Sequence, residues 1–134
     1  MDSIVIIGTG GFALELSGLL SGVGIKIKGF IGPKPTRKLP ELWLGNDDYL
    51  NEMPQVSIVL IAIGSPKIRS KLVQKIRNKK IKQFTFIHPE SYIGSDVIIE
   101  EGSIIYPNAT IHAGVTLKKN VLVNSNATIG HETI

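Results

Sequence analysis

IHPESYIGSDVIIEEGSIIYPNATIHAGVTLKKNVLVNSNATIGHETI, residues 87–134, is the stretch that decides the fold. It scans in steps of six. The first place of each step holds Ile87, Ile93, Ile99, Ile105, Ile111, Leu117, Val123 and Ile129, all large aliphatics with no slip of register. The fifth holds Ser91, Val97, Ser103, Ala109, Val115, Val121, Ala127 and Thr133, each small or β-branched. The fourth holds Glu90, Asp96, Gly102, Asn108, Gly114, Asn120, Asn126 and Glu132, with Gly or Asn in five of the eight places. A buried anchor, a small inward residue and a corner tolerant of positive φ are what short parallel strands need in order to coil. The pattern predicts a β-solenoid over residues 87–134. It is still running at Ile134, and a solenoid with no cap is not expected to be a whole protein.

Upstream of Ile87 the period of six is absent and strands alternate with helices. Ser3 to Ile7 is a short apolar run suited to a strand buried on both faces. Leu14, Leu16, Leu19 and Leu20 continue into a helix that Ser21-Gly22-Val23-Gly24 ends. Ile25 to Ile31 reads as a second strand, Trp43 to Asp48 as the opening of a short helix, and Val56 to Ile63 as the clearest strand. Ser65 and Pro66 suit the N-cap and first residue of another helix, in which Ile68, Leu72 and Ile76 form one apolar stripe. Phe84 to Phe86 reads as the last strand. The expected architecture is α/β plus β-solenoid: a small Rossmann-like parallel sheet over residues 1–86, then the hexad array over 87–134.

Composition narrows the function classes. The chain of 134 residues has no cysteine, which removes disulfide and thiolate chemistry. The formal charge of +4 is modest, and much of it lies in Lys75, Arg77, Lys79, Lys80 and Lys82 at the end of a helix. Cations there complement the helix dipole, and few aromatics accompany them, so nucleic acid is not an expected partner. There is neither a secretory leader pattern nor an apolar run of the ~20 residues needed to span a bilayer. The expected compartment is cytoplasmic.

Gly8, Gly10 and Ala13 satisfy the G-x-G-x-x-G/A pattern between a strand and a helix. Small residues let backbone amides approach an anion, and the helix N-terminus adds partial positive charge. The ribose-binding acid expected after the second strand is missing, because Phe30-Ile31-Gly32-Pro33-Lys34 holds no carboxylate. An NAD(P) site, a site for another nucleotide or anionic substrate, and a tight turn without ligand all remain open. Ala62-Ile63-Gly64-Ser65 leaves a strand and opens a helix in the same way, with Arg69 one turn in.

Taken together, these motifs resemble the bacterial sugar acyltransferases of the left-handed β-helix class, the group of sialic acid O-acetyltransferases and nucleotide-amino-sugar N-acetyltransferases. The resemblance rests on Ile6 to Ala13, on Leu60 to Gly64 with Ile68-Arg69, on Ile87-His88-Pro89, and on Val123-Asn124 leading to Ile129-Gly130-His131-Glu132. It implies a homotrimer built around left-handed β-helices, with a sugar or nucleotide-sugar held by the N-terminal domain. Acetyl-CoA, the acyl donor, would lie between adjacent helices. It implies His131 as the general base, a role imidazole suits because it titrates near neutral pH. Glu132 would orient that ring, and Asn124 would hold the acceptor. The substrate-binding set becomes Gly8, Gly10, Gly11, Phe12, Gly64, Ser65, Arg69 and Asn124. His88 is expected to be structural and His112 to face water, and no metal site is expected.

Two departures bear on the acceptor. Members acting on uridine-diphospho-amino-sugars tend to carry acids after the second strand, where this chain has Gly32-Pro33, and often a histidine where it has Phe12. Sialic acid and other acceptors therefore stay open. The competing readings are a non-catalytic nucleotide- or sugar-binding and oligomerisation fragment, and an NAD(P)-binding domain.

Overall fold

The computed structural model describes residues 3–54 and 57–130. His131 and Glu132 lie outside them. The chain divides into two compact units, Met1–Gln83 and Phe84–Ile134.

The first unit is a five-stranded parallel sheet in the order β3-β2-β1-β4-β5. Its strands are β1 (Ile4–Ile7), β2 (Ile27–Ile31), β3 (Trp43–Gly45), β4 (Ile58–Ile61) and β5 (Lys82–Gln83). Helix α1 (Gly11–Gly22) joins β1 to β2, and α2 (Pro66–Asn78) joins β4 to β5. β1 reads IVII because the central strand is covered on both faces. Val5, Ile7, Val59 and Ile61 pack with Leu72 and Ile76 of α2. The alternate positions Ile4, Ile6, Phe30 and Leu60 are buried as well, as are Ala13, Leu16 and Leu20 of α1.

Three expectations are corrected here. Trp43–Gly45 is an edge strand paired with β2, and the helical turn after it is a 3₁₀ segment, Asp47–Asn51. Gly29 explains the strand: a Cβ there would lie 2.4 Å from the Leu42 carbonyl oxygen, so only glycine lets the edge come this close. The last strand of the sheet is Lys82–Gln83, whereas Phe86 pairs with Ile104 in the second unit. Finally, the apolar stripe of α2 is only partly buried, since Leu72 and Ile76 are covered but Ile68 is 49% exposed.

The start of α2 follows its sequence. The Ser65 hydroxyl accepts from the Ile68 N–H at 3.3 Å, and Pro66 stands in the first turn, where a missing N–H costs nothing. Ser65→Ala is expected to destabilise the first unit by about 1 kcal/mol, and Ser65→Asp to restore most of it. Urea titration checks this: the midpoint should fall for alanine with an unchanged slope.

The second unit is a left-handed parallel β-helix of two-residue strands. They are β6 (Phe86–Ile87), β7 (Tyr92–Ile93), β8 (Ile98–Ile99), β9 (Ile104–Ile105), β10 (Thr110–Ile111), β11 (Thr116–Leu117), β12 (Leu122–Val123) and β13 (Thr128–Ile129). Each strand pairs with the one three hexads along, which gives the stacks β6-β9-β12, β7-β10-β13 and β8-β11. Ile105, Ile111, Leu117 and Val123 fill the interior with Ala109 and Val115. Asp96, Gly102, Asn108, Gly114, Asn120 and Asn126 all take positive φ, so the fourth place is the corner. The first hexad is the exception. Ile87 is 42% exposed because β6 has a neighbouring strand on one side only, and Glu90 stays out of the left-handed region. Ser103, fully buried, is satisfied on both counts: its hydroxyl donates to the Lys118 carbonyl at 2.9 Å and accepts from the Val121 N–H at 3.2 Å.

Candidate functional site

The order of the sheet locates the site. From β1 the chain steps outward to β2 and β3, then crosses back to add β4 on the other side of β1. The carboxyl ends of β1 and β4 therefore flank the point where the winding reverses, the place where open α/β sheets bind ligands. A cleft of about 460 Å³ opens there, lined by Gly8 to Phe12, Pro33, Asp47, Ala62 to Gly64 and Ile68. That volume lies within the range of small-molecule sites.

The glycines of the first loop have different jobs. Gly8 has φ +136°, and a Cβ on it would stand 2.4 Å from the Ala62 carbonyl oxygen, so the approach of the two loops forbids any side chain. Gly10 meets nothing within 4 Å of its would-be Cβ, and neither does Gly64. Packing within the protein does not require glycine at these two places, whereas close approach of a ligand to the backbone would. Gly10 is also the N-cap of α1 and offers no side-chain cap, and the first turn carries no acid. The N-cap residue thus contributes no side-chain oxygen to the start of α1.

The second loop behaves otherwise. Ser65 caps α2 with its own hydroxyl, and Pro66 removes a donor, so this helix start is satisfied from within. Of the expected substrate-binding residues, Gly8, Gly10, Gly11, Phe12 and Gly64 line the cleft, and Ser65 and Arg69 do not. Asn124 belongs to the second unit, exposed on its coil, where its carbonyl accepts from the Ala127 N–H at 3.1 Å.

Several lining residues escaped the sequence reading. Thr9 is held by a hydrogen bond from its hydroxyl to the Pro33 carbonyl at 2.8 Å, and the Trp43 indole N–H fixes the Gly32 carbonyl at 3.0 Å. These two bonds set the loop after β2 against the glycine loop. Ile63 and Ile68 add apolar surface to the cleft. Asp47 matters most. It comes from the 3₁₀ segment after β3, and no motif spacing announces it.

His88 is structural. It is buried, its Nδ1 accepts from the Glu90 N–H at 3.0 Å, and its ring meets Phe86 edge-on with centroids 5.9 Å apart. The Ser91 hydroxyl donates to its carbonyl at 2.6 Å, so His88 shapes the turn that opens the array. His112 is exposed. Among the described residues no group of three His, Cys, Asp or Glu side chains could hold a metal ion. No helix among them is long and apolar enough to cross a membrane.

Two family profiles match the sequence: the PglD N-terminal domain over residues 3–76, and the bacterial transferase hexapeptide (six repeats) over residues 78–113. Among solved structures the chain is similar to the acetyltransferase domain of PglB from Neisseria gonorrhoeae in complex with acetyl coenzyme A. That match has a TM-score of 0.89 and 25% identity, covering 97% of this chain and 65% of the other. It is also similar to a histidine-to-asparagine variant of perosamine N-acetyltransferase from Caulobacter crescentus in complex with CoA and GDP-perosamine. There the TM-score is 0.88 at 26% identity, covering 96% of this chain and 63% of the other. WeeI from Acinetobacter baumannii shares the fold, with a TM-score of 0.78 at 22% identity, over 96% of this chain and 64% of its own. The chain thus spans a little under two thirds of the solved chains it matches. No curated protein matches the sequence significantly.

Proposed function

Because the chain belongs to the PglD N-terminal domain family, followed by transferase hexapeptide repeats, we propose that it is the acceptor-binding part of an acetyl-CoA-dependent sugar acetyltransferase. The observation that carries this reading is the cleft at the reversal of the sheet, where an uncapped helix start and open glycines face a space of about 460 Å³. Such a site suits the anionic group of a nucleotide-linked sugar. Two of the relatives at or above 25% identity are complexes with acetyl coenzyme A, or with CoA and GDP-perosamine, and both names describe acetyl transfer.

In this proposal the first unit binds the sugar or nucleotide-linked sugar through Gly8, Gly10, Gly11, Phe12 and Gly64. Asp47 accepts from hydroxyl or N–H donors of the ligand, since an ionised carboxylate can only accept. The second unit assembles as a homotrimer and carries the chemistry: His131 takes the acceptor's proton, Glu132 orients the imidazole, and Asn124 steadies the acceptor. Acetyl-CoA enters as the second substrate and supplies the acetyl group. Transfer is direct, without an acyl-enzyme, in the cytoplasm.

A second reading has its own support. It is a binding and oligomerisation module, and what supports it is that the fold match covers only 65% and 63% of the two solved relatives. Calorimetry and a thiol-release assay separate the two. Binding of a nucleotide-linked amino sugar together with CoA release from acetyl-CoA is the expected result for the enzyme. Sugar binding without coenzyme binding supports the module, and binding of neither removes the acceptor site.

A further inference from the structure

The positive charge of this chain is gathered in one place. Eight of its fifteen Lys and Arg residues fall between Lys67 and Lys82, and no Asp or Glu occurs from Met53 to Pro89. The rest of the chain carries seven cations against eleven acids, so outside this segment the balance is negative. Helix chemistry accounts for only part of the cluster. Lys75 and Arg77 stand in the last turn of α2, where cations complement the dipole, and Lys79 is its C-cap. Lys67 and Arg69 sit at the opposite end, where the first turn has no acid and the dipole disfavours cations. Lys67, Lys71 and Lys75 also follow one another at intervals of four, a spacing of like charges that weakens a helix.

The geometry of α2 turns these cations outward. Leu72 and Ile76 are its buried positions. Lys67, Lys71, Gln74 and Asn78 run along the opposite side, and all four are exposed, as are Ser70 and Arg77 beside them. The Gln74 amide donates to Asn78 Oδ1 at 3.2 Å, so two polar groups of this ridge bind each other and leave the charges to solvent. Among the described residues Lys67, Lys71 and Arg77 meet no carboxylate. Lys75 does reach the acidic 3₁₀ segment, yet its Nζ donates to the Asp47 backbone carbonyl at 3.5 Å. Past the helix, Lys80 and Lys82 are exposed as well.

We propose that the outer face of α2, continued by Lys80 and Lys82, docks on a bilayer surface rich in anionic phospholipid, a role independent of the acceptor cleft. Clusters of about four to eight Lys and Arg on an amphipathic helix suit such a surface, whose negative potential is diffuse. The residue types favour lipid over nucleic acid. Six of the eight cations are lysines, hydrated point charges without the fork that reads phosphates in pairs, and no aromatic residue lies between Lys67 and Lys82 to stack on bases. They also disfavour a protein partner, because the ridge of Lys67, Ser70, Lys71, Gln74 and Asn78 offers no apolar anchor. Leu72 and Ile76 are committed to the sheet, so α2 lies on the headgroups through charge and does not insert. Attachment of this kind is weakened by salt.

The test is co-sedimentation of the chain with vesicles of phosphatidylcholine alone or mixed with phosphatidylserine, at about 0.1 M and about 0.5 M salt. Wild type is compared with K67Q/K71Q and with K26Q/K28Q, which removes the same charge from two exposed lysines at β2. Wild type is expected to bind only the phosphatidylserine vesicles, and only at the lower salt. Each lysine that faces the surface is worth about fivefold in affinity, so K67Q/K71Q should bind about 25-fold more weakly. K26Q/K28Q should stay within about threefold of wild type, since charges beyond a Debye length are screened. In thermal melts K67Q/K71Q should equal or slightly exceed wild type, because a like-charge pair is gone. No binding to phosphatidylserine vesicles at the lower salt overturns the proposal, and so does binding that survives the higher salt. Equal loss in the two pairs overturns the assignment to this face. A lower melting temperature in K67Q/K71Q overturns it too, by making the lysines structural. Tighter binding to a DNA or RNA oligonucleotide than to the vesicles overturns the partner class.

Discussion

Replacing His131 by alanine is expected to lower kcat for acetyl transfer by ~100-fold or more, the usual effect of removing a positioned base. The reasoning is chemical. As the acceptor nitrogen or oxygen attacks the thioester carbonyl carbon, its N–H or O–H proton must leave. Imidazole takes that proton, the C–S bond breaks, and the departing thiolate receives a proton in turn. A factor of ~100 corresponds to about 2.7 kcal/mol of lost transition-state stabilisation. Acceptor affinity should stay within about twofold, because the base acts on the reacting atoms and the cleft of the first unit supplies the binding. Glu132→Gln should be milder, about tenfold, since an orienting partner tunes a base without being one. Steady-state kinetics with a nucleotide-linked amino sugar provide the measurement. Turnover near wild type in H131A would remove this histidine from the mechanism. An equal rise in acceptor Kd would instead make it a binding residue.

How much of this was legible in the sequence differs between the two units, for a physical reason. A β-helix repeats one environment every six residues, so each position is tested many times. The corner residues Asp96, Asn108, Asn120 and Asn126, like Gly102 and Gly114, adopt the positive φ that their identities imply. The departures, Ile87 and Glu90, fall in the first hexad, where the repeat has a neighbour on one side only. In the α/β unit each contact occurs once. The glycine loop and the Ser65-Pro66 cap were readable because backbone chemistry is local. Asp47 was not, because it reaches the cleft from the segment after β3, through packing that is not local in sequence. The same holds for Trp43–Gly45, whose strand character comes from pairing with β2 across Gly29 and not from its own propensity. Residues that select a ligand tend to sit on such loops, so the fold could be read from the sequence more fully than the site.

Gly8→Ala is expected to destabilise the first unit severely, and Gly10 shows why this is not an effect of glycine loops in general. At Gly8 a Cβ would lie 2.4 Å from the Ala62 carbonyl oxygen and 3.1 Å from its carbon, and φ is +136°. Both obstacles are backbone, so no side chain can rotate away. Nor can the strands slide. The Gly8 N–H is bonded to the Ile31 carbonyl at 2.7 Å and the Ala62 N–H to the Ile7 carbonyl at 2.8 Å, which pins β1 between its neighbours. Strain at such a φ costs about 1–3 kcal/mol, and overpacking adds about 1–3 more. Against a total stability of about 5–15 kcal/mol, a loss of about 2–6 kcal/mol removes a large share of the margin and lowers the melting temperature markedly. Gly10→Ala supplies the contrast. Its Cβ would enter open space at a φ of −95°, so the change should cost no more than about 1 kcal/mol from the weakened N-cap while impairing nucleotide binding. Far-UV circular dichroism through a thermal ramp, paired with the nucleotide titration, distinguishes the two. If the Gly8 variant melted like wild type, the close approach of the two loops would be wrong, and with it the shape of the cleft between them.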